Sequence, residues 1–293
     1  MFNGSLVALV TPMHGDGSID FDALTGLIEF HVENGTDAIV AVGTTGESAT
    51  LDFDEHIRVV EHVVNVAAGR IPVIAGTGAN ATREAIHLTR DAKAAGADAC
   101  LSVTPYYNKP TQEGLYRHFS AIVEAVELPL ILYNVPGRTA CDMQPDTVER
   151  LADHPLIVGI KEASGSLARI TELVDRSEGR FAVFSGDDNL SCEAILHGAQ
   201  GAVSVTANVA PAAMHAMTAA ALAKDRVRAK NLDAQLAGLH RELFCEANPI
   251  PVKWALAQMG LIGPTLRLPM TPLSASCQPK LNAAMKQAGL LSD

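Results

Sequence analysis

Cysteine is sparse. The 293 residues hold five, Cys100, Cys141, Cys192, Cys245 and Cys277, widely spaced and without a Cys-x-x-Cys pair. That excludes a disulfide framework and a zinc knuckle as organising devices and leaves small buried apolar residues as the expected role. No run of about 18 apolar residues occurs, so no membrane-spanning helix is expected. The apolar stretch at residues 1–12 lacks a basic leader and a small-residue cleavage site, and it reads as a first strand. Basic residues are in deficit, 22 Lys+Arg against 33 Asp+Glu for a net charge of -11, with no basic block. Nucleic acid and anionic membrane are therefore disfavoured as partners. A cytoplasmic protein working on small molecules is the expectation.

What is present is a regular alternation. Apolar, β-branched runs at 6–12, 38–43, 71–78, 99–105, 128–136, 157–164, 181–188 and 201–209 read as strands buried on both faces. Segments of helical period lie between them, at 21–32 after Asp20, 55–68 after Asp52, 82–95 and 111–127. Strand starts fall roughly 20–33 residues apart, the length of a βα unit, and eight units fill residues 1–224. This predicts an α/β fold, a TIM (β/α)8 barrel, with a doubly wound open sheet as the competing arrangement. Residues 225–293 contain no further strand, and helices at 226–246, 251–259 and 278–288 predict a small C-terminal helical region.

The working face of such a barrel is the C-terminal ends of its strands. Those ends read Gly43-Thr44-Thr45-Gly46-Glu47, Thr104-Pro105-Tyr106-Tyr107, Tyr133-Asn134-Val135-Pro136, Lys161-Glu162 and Ser185-Gly186-Asp187-Asp188. Lys161 is the sharpest feature, the only one of eight lysines inside an expected strand. Burial disfavours an ammonium, and an uncharged amine is the nucleophile for a Schiff base with a carbonyl substrate. A structural ion pair with a barrel carboxylate is the alternative. Glu162 should face the other way, because side chains alternate along a strand. Tyr133 on the adjacent strand offers a phenol for proton transfer. The 43–47 turn offers hydroxyls and backbone N–H groups suited to a small carboxylate. Arg138, after a Pro-Gly turn, suits bidentate carboxylate binding, or is a solvated loop residue.

Two lookalikes are set aside. Gly76-Thr77-Gly78-Ala79-Asn80-Ala81 mimics a dinucleotide fingerprint, but the next strand ends Val103-Thr104-Pro105 without the required acid. The ten histidines are scattered, with only His14 near the mouth, so no metal site is expected.

Gly43–Glu47, Tyr133-Asn134-Val135-Pro136 and Gly159-Ile160-Lys161-Glu162, in this order and spacing, resemble the pyruvate-dependent Schiff-base aldolase/lyase superfamily. Segments 73–80, 103–109, 137–139, 203–208 and 248–254 resemble its dihydrodipicolinate synthase family in particular, over the whole chain. The resemblance implies a lyase with a class I aldolase-type mechanism. It condenses pyruvate with L-aspartate-4-semialdehyde in diaminopimelate and lysine biosynthesis, with no cofactor beyond the imine itself. Lys161 would form that imine. Tyr133 would move protons, linked through Thr44 to Tyr107 from a neighbouring subunit. Thr45 would hold the pyruvate carboxylate, and Val203, where isoleucine is more frequent, would line the pocket. Gly186 would present a carbonyl, and Arg138 would bind the semialdehyde carboxylate. A homotetramer built from two dimers is also implied.

In lysine-sensitive members L-lysine, a feedback inhibitor, binds at a dimer interface. The matching positions here are Ser48, Ala49, His56, Asn80, Glu84 and Tyr106, with Asn80 and Glu84 expected four apart on one helix face. Phe53 stands where some members carry a polar residue. Two rival readings are a sugar-acid lyase of the same superfamily, disfavoured by Arg138 and the Thr44-Thr45 pair, and a non-catalytic sensor of pyruvate or lysine.

Overall fold

Eight parallel strands pair in chain order and close on themselves in the computed structural model, which describes residues 2–291. Met1 and residues 292–293, included in the expected regions 1–224 and 225–293, lie outside the described residues. The strands are β1 (Gly4–Ala8), β2 (Ala38–Ala41), β3 (Val73–Gly76), β4 (Ala99–Val103), β5 (Leu130–Asn134), β6 (Ile157–Glu162), β7 (Ala182–Ser185) and β8 (Gly201–Ser204). β1 pairs with both β2 and β8, which closes the barrel and removes the open-sheet alternative.

Helices wrap this ring: α1 (Phe21–Glu33), α2 (Phe53–Ala67), α3 (Thr82–Ala94), α4 (Gln112–Ala125), the short α5 (Pro136–Thr139), α6 (Pro145–Leu151), α7 (Leu167–Ser177), α8 (Asp188–Leu196) and α9 (Pro211–Leu222). Their starts follow local chemistry. The Asp20 carboxylate accepts the Ala23 N–H, and Asp52 forms a capping box with Glu55. Thr111 accepts from Gly114.

Two layers of core result from strand alternation. Leu6, Val40, Ile74, Leu101, Ile131, Tyr133, Phe184 and Val203 pack together inside the barrel. Val7, Ile39, Leu130, Leu132, Ile160 and Val183 point outward and pack with the apolar stripes of the helices.

Beyond the barrel lie α10 (Arg226–Glu242), α11 (Ile250–Gln258) and α12 (Gln278–Gln287). α10 packs on α8, α9 and α12.

The strands are shorter than the expected runs, and three boundaries differ most. The run 201–209 is not one strand: β8 ends at Ser204 and Thr206–Asn208 forms a 3-10 turn. The buried Asp188 carboxylate captures the Val205 and Thr206 N–H groups and so ends the sheet ladder there. The run 6–12 leaves the ladder after Ala8, where the Asn208 side chain accepts from Val10 and donates to the Ala8 carbonyl. The helix expected at 226–246 stops at Glu242.

Candidate active site

β6 turns Gly159 and Lys161 toward the barrel axis and Ile160 and Glu162 toward the helices. Lys161 is therefore an inward side chain, 6% exposed. It pairs in register with Tyr133 of β5 on one side and Phe184 of β7 on the other. Its Nζ lies 4.3 Å from the centre of the Tyr133 ring. Among the described residues it has no ion-pair partner. Gly186 explains how its stem fits: a Cβ there would lie 2.9 Å from Lys161 Cε and 2.7 Å from Ala163 Cβ. Burial pushes the Asp187 carboxyl above its usual range, opposed by the Gly165 N–H and the charge on Lys161.

The structural ion pair weighed for Lys161 is made instead by Lys253. It sits on α11, 0% exposed, bonded to the Glu47 carboxylate and to the Thr11 carbonyl at 3.0 Å. Glu162 faces away from the barrel axis as alternation requires. It accepts from Asn134 at 3.1 Å and from the Ser164 N–H, and burial raises its pKa.

The 43–47 turn follows β2. Thr45 is buried, and its Oγ1 accepts from Asn248 Nδ2 at 2.9 Å, which leaves the hydroxyl hydrogen available to another acceptor. Arg138 follows Pro136-Gly137 as expected, within the single helical turn α5. Pro136 occupies the first turn of α5, and the exposed Arg138 guanidinium donates to the Asn248 carbonyl at 3.3 Å. Val203 lies inside the barrel, in the same inner cluster as Tyr133.

Thr44 and Arg138 both line a cavity of 380 Å³ that extends to Ser48, Ala49, His56, Glu84 and Tyr106. Asn80 is the one position of that set outside its lining. It is not on the helix face with Glu84, because Ala81 is extended (φ -110, ψ 122) and α3 begins at Thr82. His56 is buried, and its Nε2 meets the Gly76 carbonyl at 2.7 Å, so that nitrogen carries the proton. Burial lowers its pKa. Phe53, half exposed, forms part of the same wall.

Tyr107 is not gathered with Tyr133. It is 88% exposed, at φ +76, with its N–H on the Thr139 carbonyl at 3.2 Å. The Gly76–Ala81 lookalike has a packing cause, since a Cβ on Gly78 would lie 2.4 Å from the Val103 backbone nitrogen. His14 is exposed, 3.5 Å from Asp20.

Sequence reading missed the part of the site supplied from far along the chain. Asn248 follows α10, is buried, and reaches both Thr45 and Arg138. Lys253 and Arg267 both reach Glu47. The only signal was the Asn248-Pro249-Ile250-Pro251-Val252-Lys253 segment, whose prolines mark an irregular stretch just before a buried helix.

A model of the dihydrodipicolinate synthetase family matches residues 1–288. The 4-hydroxy-tetrahydrodipicolinate synthase of Alkalilimnicola ehrlichii is 64% identical, over 99% of this chain and 100% of that protein. Among solved structures, the chloride-inhibited dihydrodipicolinate synthase of Acinetobacter baumannii complexed with pyruvate is 58% identical with a TM-score of 0.98, covering 99% of this chain and 100% of that one. The enzyme of Cyanidioschyzon merolae with lysine bound is 40% identical with a TM-score of 0.95, covering 99% of each chain. With its closed barrel and inward-facing lysine, this chain belongs to the dihydrodipicolinate synthetase family.

Proposed function

We propose that the chain catalyses the reaction its relatives are named for: condensation of pyruvate with L-aspartate-4-semialdehyde to 4-hydroxy-tetrahydrodipicolinate, on the path to diaminopimelate and lysine. The observation that carries this reading is Lys161, buried on the inner face of β6 beside Tyr133 without an ion-pair partner among the described residues. A buried amine that no carboxylate claims is suited to attack a ketone carbonyl.

In this reading Lys161 Nζ adds to the pyruvate ketone and water leaves, giving an imine. Loss of a methyl proton gives the enamine, whose carbon attacks the semialdehyde. The substrate amine then displaces Lys161 and closes the ring. Tyr133 donates and accepts the protons, with Thr44 and a partner subunit's copy of Tyr107 completing the relay. Thr45 holds the pyruvate carboxylate with the hydroxyl hydrogen that Asn248 leaves free. Arg138 holds the carboxylate of the semialdehyde, Val203 walls the pocket and Gly186 presents its carbonyl. The chemistry is carried by the Lys161 amine and calls for no resident metal or cofactor. The exposure of Tyr107 supports its service to a neighbouring chain, and hence an obligate dimer within a homotetramer.

L-lysine is proposed as a ligand of the 380 Å³ cavity, where Glu84, unpaired among the described residues, would meet an ammonium group. We assign residues 1–224 to the catalytic barrel and 225–293 to the helical appendage. No helix among the described residues is long and apolar enough to cross a membrane, which fits the proposed cytoplasmic setting.

The test is a rate assay on purified protein. Turnover with pyruvate and aspartate semialdehyde, and none with N-acetylneuraminate, is the expected result. The reverse pattern would make the chain a sugar-acid lyase, and a folded protein active on neither would make it a sensor.

A further inference from the structure

The Glu47–Lys253 pair joins residues 206 positions apart at the floor of the substrate turn. We propose that Lys253, acting through Glu47, is a positioning residue for the 43–47 turn and so sets the geometry with which Thr45 meets pyruvate and Thr44 serves the proton relay. The proposal rests on the reading of Thr44 and Thr45 given above.

Glu47 is held in the left-handed region at φ +57, a conformation that a residue with a side chain keeps only when its surroundings impose it. Its backbone closes the turn, donating to the Thr44 carbonyl at 3.1 Å. Its carboxylate is then fixed at both oxygens. Oε1 takes Lys253 Nζ and Oε2 takes the Arg267 N–H at 3.1 Å. Lys253 is itself anchored on the Thr11 carbonyl, and the Thr11 hydroxyl donates to the Gly46 carbonyl at 2.7 Å. The turn is thus tied from below at consecutive residues, Gly46 and Glu47, by groups that converge on Lys253.

The same segment holds the turn from the side. Asn248, one helical turn or so before Lys253, donates to Thr45 and accepts from Arg138. The stretch 248–253 therefore holds Thr45 and Glu47 of the turn and the arginine beside it. Stability alone is a poor reason for such a pair. A fully buried ion pair loses much of its attraction to desolvation, and apolar replacements of similar volume are often neutral or stabilising. Burial lowers the Lys253 pKa and Glu47 opposes that shift, so the charge at this spot depends on the partner. What the pair provides that an apolar pair would not is a fixed orientation of Glu47, and with it of Thr44.

The test is the double variant E47Q/K253M, which removes both charges at nearly constant volume. It should melt close to the unmutated protein while its pyruvate KM rises about ten-fold; kcat, which depends on Thr44 in the relay, falls as well. A purely structural pair would move the melting temperature and leave KM alone, and that result overturns the proposal. Glu47→Asp keeps both charges and draws the carboxylate back by one methylene, so it serves if the double variant does not fold. It should raise pyruvate KM in the same direction, and an unchanged KM overturns the proposal equally. Borohydride trapping of pyruvate is run on each protein alongside. No adduct in any of them overturns both this proposal and the reading of the site. Adduct formation with an unchanged pyruvate KM overturns this proposal alone.

Discussion

Tyr133 and Lys161 stand directly opposite each other on neighbouring parallel strands, with the lysine nitrogen 4.3 Å from the centre of the tyrosine ring. The contact arises because β5 and β6 are in register and both residues fall on inward positions. A ring face stabilises a nearby cation without fixing it as a carboxylate would. Lys161 is thereby held in place without an ion-pair partner among the described residues, although the Asp187 carboxyl feels its charge.

If Tyr133 moves protons in the reaction, Tyr133→Phe keeps the ring and its packing and removes only the hydroxyl. The expected loss in kcat is about 10²–10⁴-fold, with the melting temperature nearly unchanged. Imine trapping on Lys161 should survive, since the amine remains. Wild-type turnover in this variant would exclude the phenol from the chemistry.

Arg138 is exposed and makes one long bond to the Asn248 carbonyl. Its removal should cost little stability. Arg138→Ala should raise the KM for aspartate semialdehyde by about ten-fold or more, and leave pyruvate KM within about two-fold. Equal effects on both substrates would place the guanidinium elsewhere in the mechanism.

Gly186→Ala adds one methyl where the Lys161 stem now lies. The flexible lysine yields before the backbone does, so its nitrogen is displaced. We expect about a hundred-fold loss in kcat/KM for a destabilisation of about 1–3 kcal/mol. Unmutated activity would show that Lys161 tolerates displacement and is not held to a strict geometry.

Acid should weaken the fold through its buried histidines. His31 is fully buried, and burial alone lowers its pKa from 6.5 to about 3; His118 falls to about 4 for the same reason. The unfolded chain therefore takes up these protons first. The stability held by the neutral rings is complete above about pH 6.5 and is lost as pH falls toward the folded values, by about 1.4 kcal/mol per pH unit for each ring. Denaturant unfolding of His31→Leu between pH 7 and 5 should show a shallower loss than the unmutated protein. Parallel curves would contradict this.

The barrel was legible because eight runs of similar spacing are hard to arrange otherwise, and Lys161 stood out as a charge within an apolar run. Thr44, Thr45, Tyr133 and Arg138 were legible as strand ends. Asn248, Lys253 and Arg267 were not. They lie some 200 residues from the turn they hold, and only the closed fold brings them to Glu47 and Thr45. Lys253 was hidden for a further reason: its helix is apolar nearly all round, so no polar face marks where a buried charge would find its partner. The strand expected to run on to 209 failed because a side chain, Asp188, takes the backbone donors that a neighbouring strand would need.

Sodium borohydride reduction in the presence of pyruvate, followed by peptide mass spectrometry, tests the central claim most directly. The account expects a single pyruvate-dependent adduct on Lys161, absent from Lys161→Ala and absent from the other buried lysine, Lys253. A folded protein that gives no adduct, or gives it on Lys253, would contradict the assignment of Lys161 as the nucleophile.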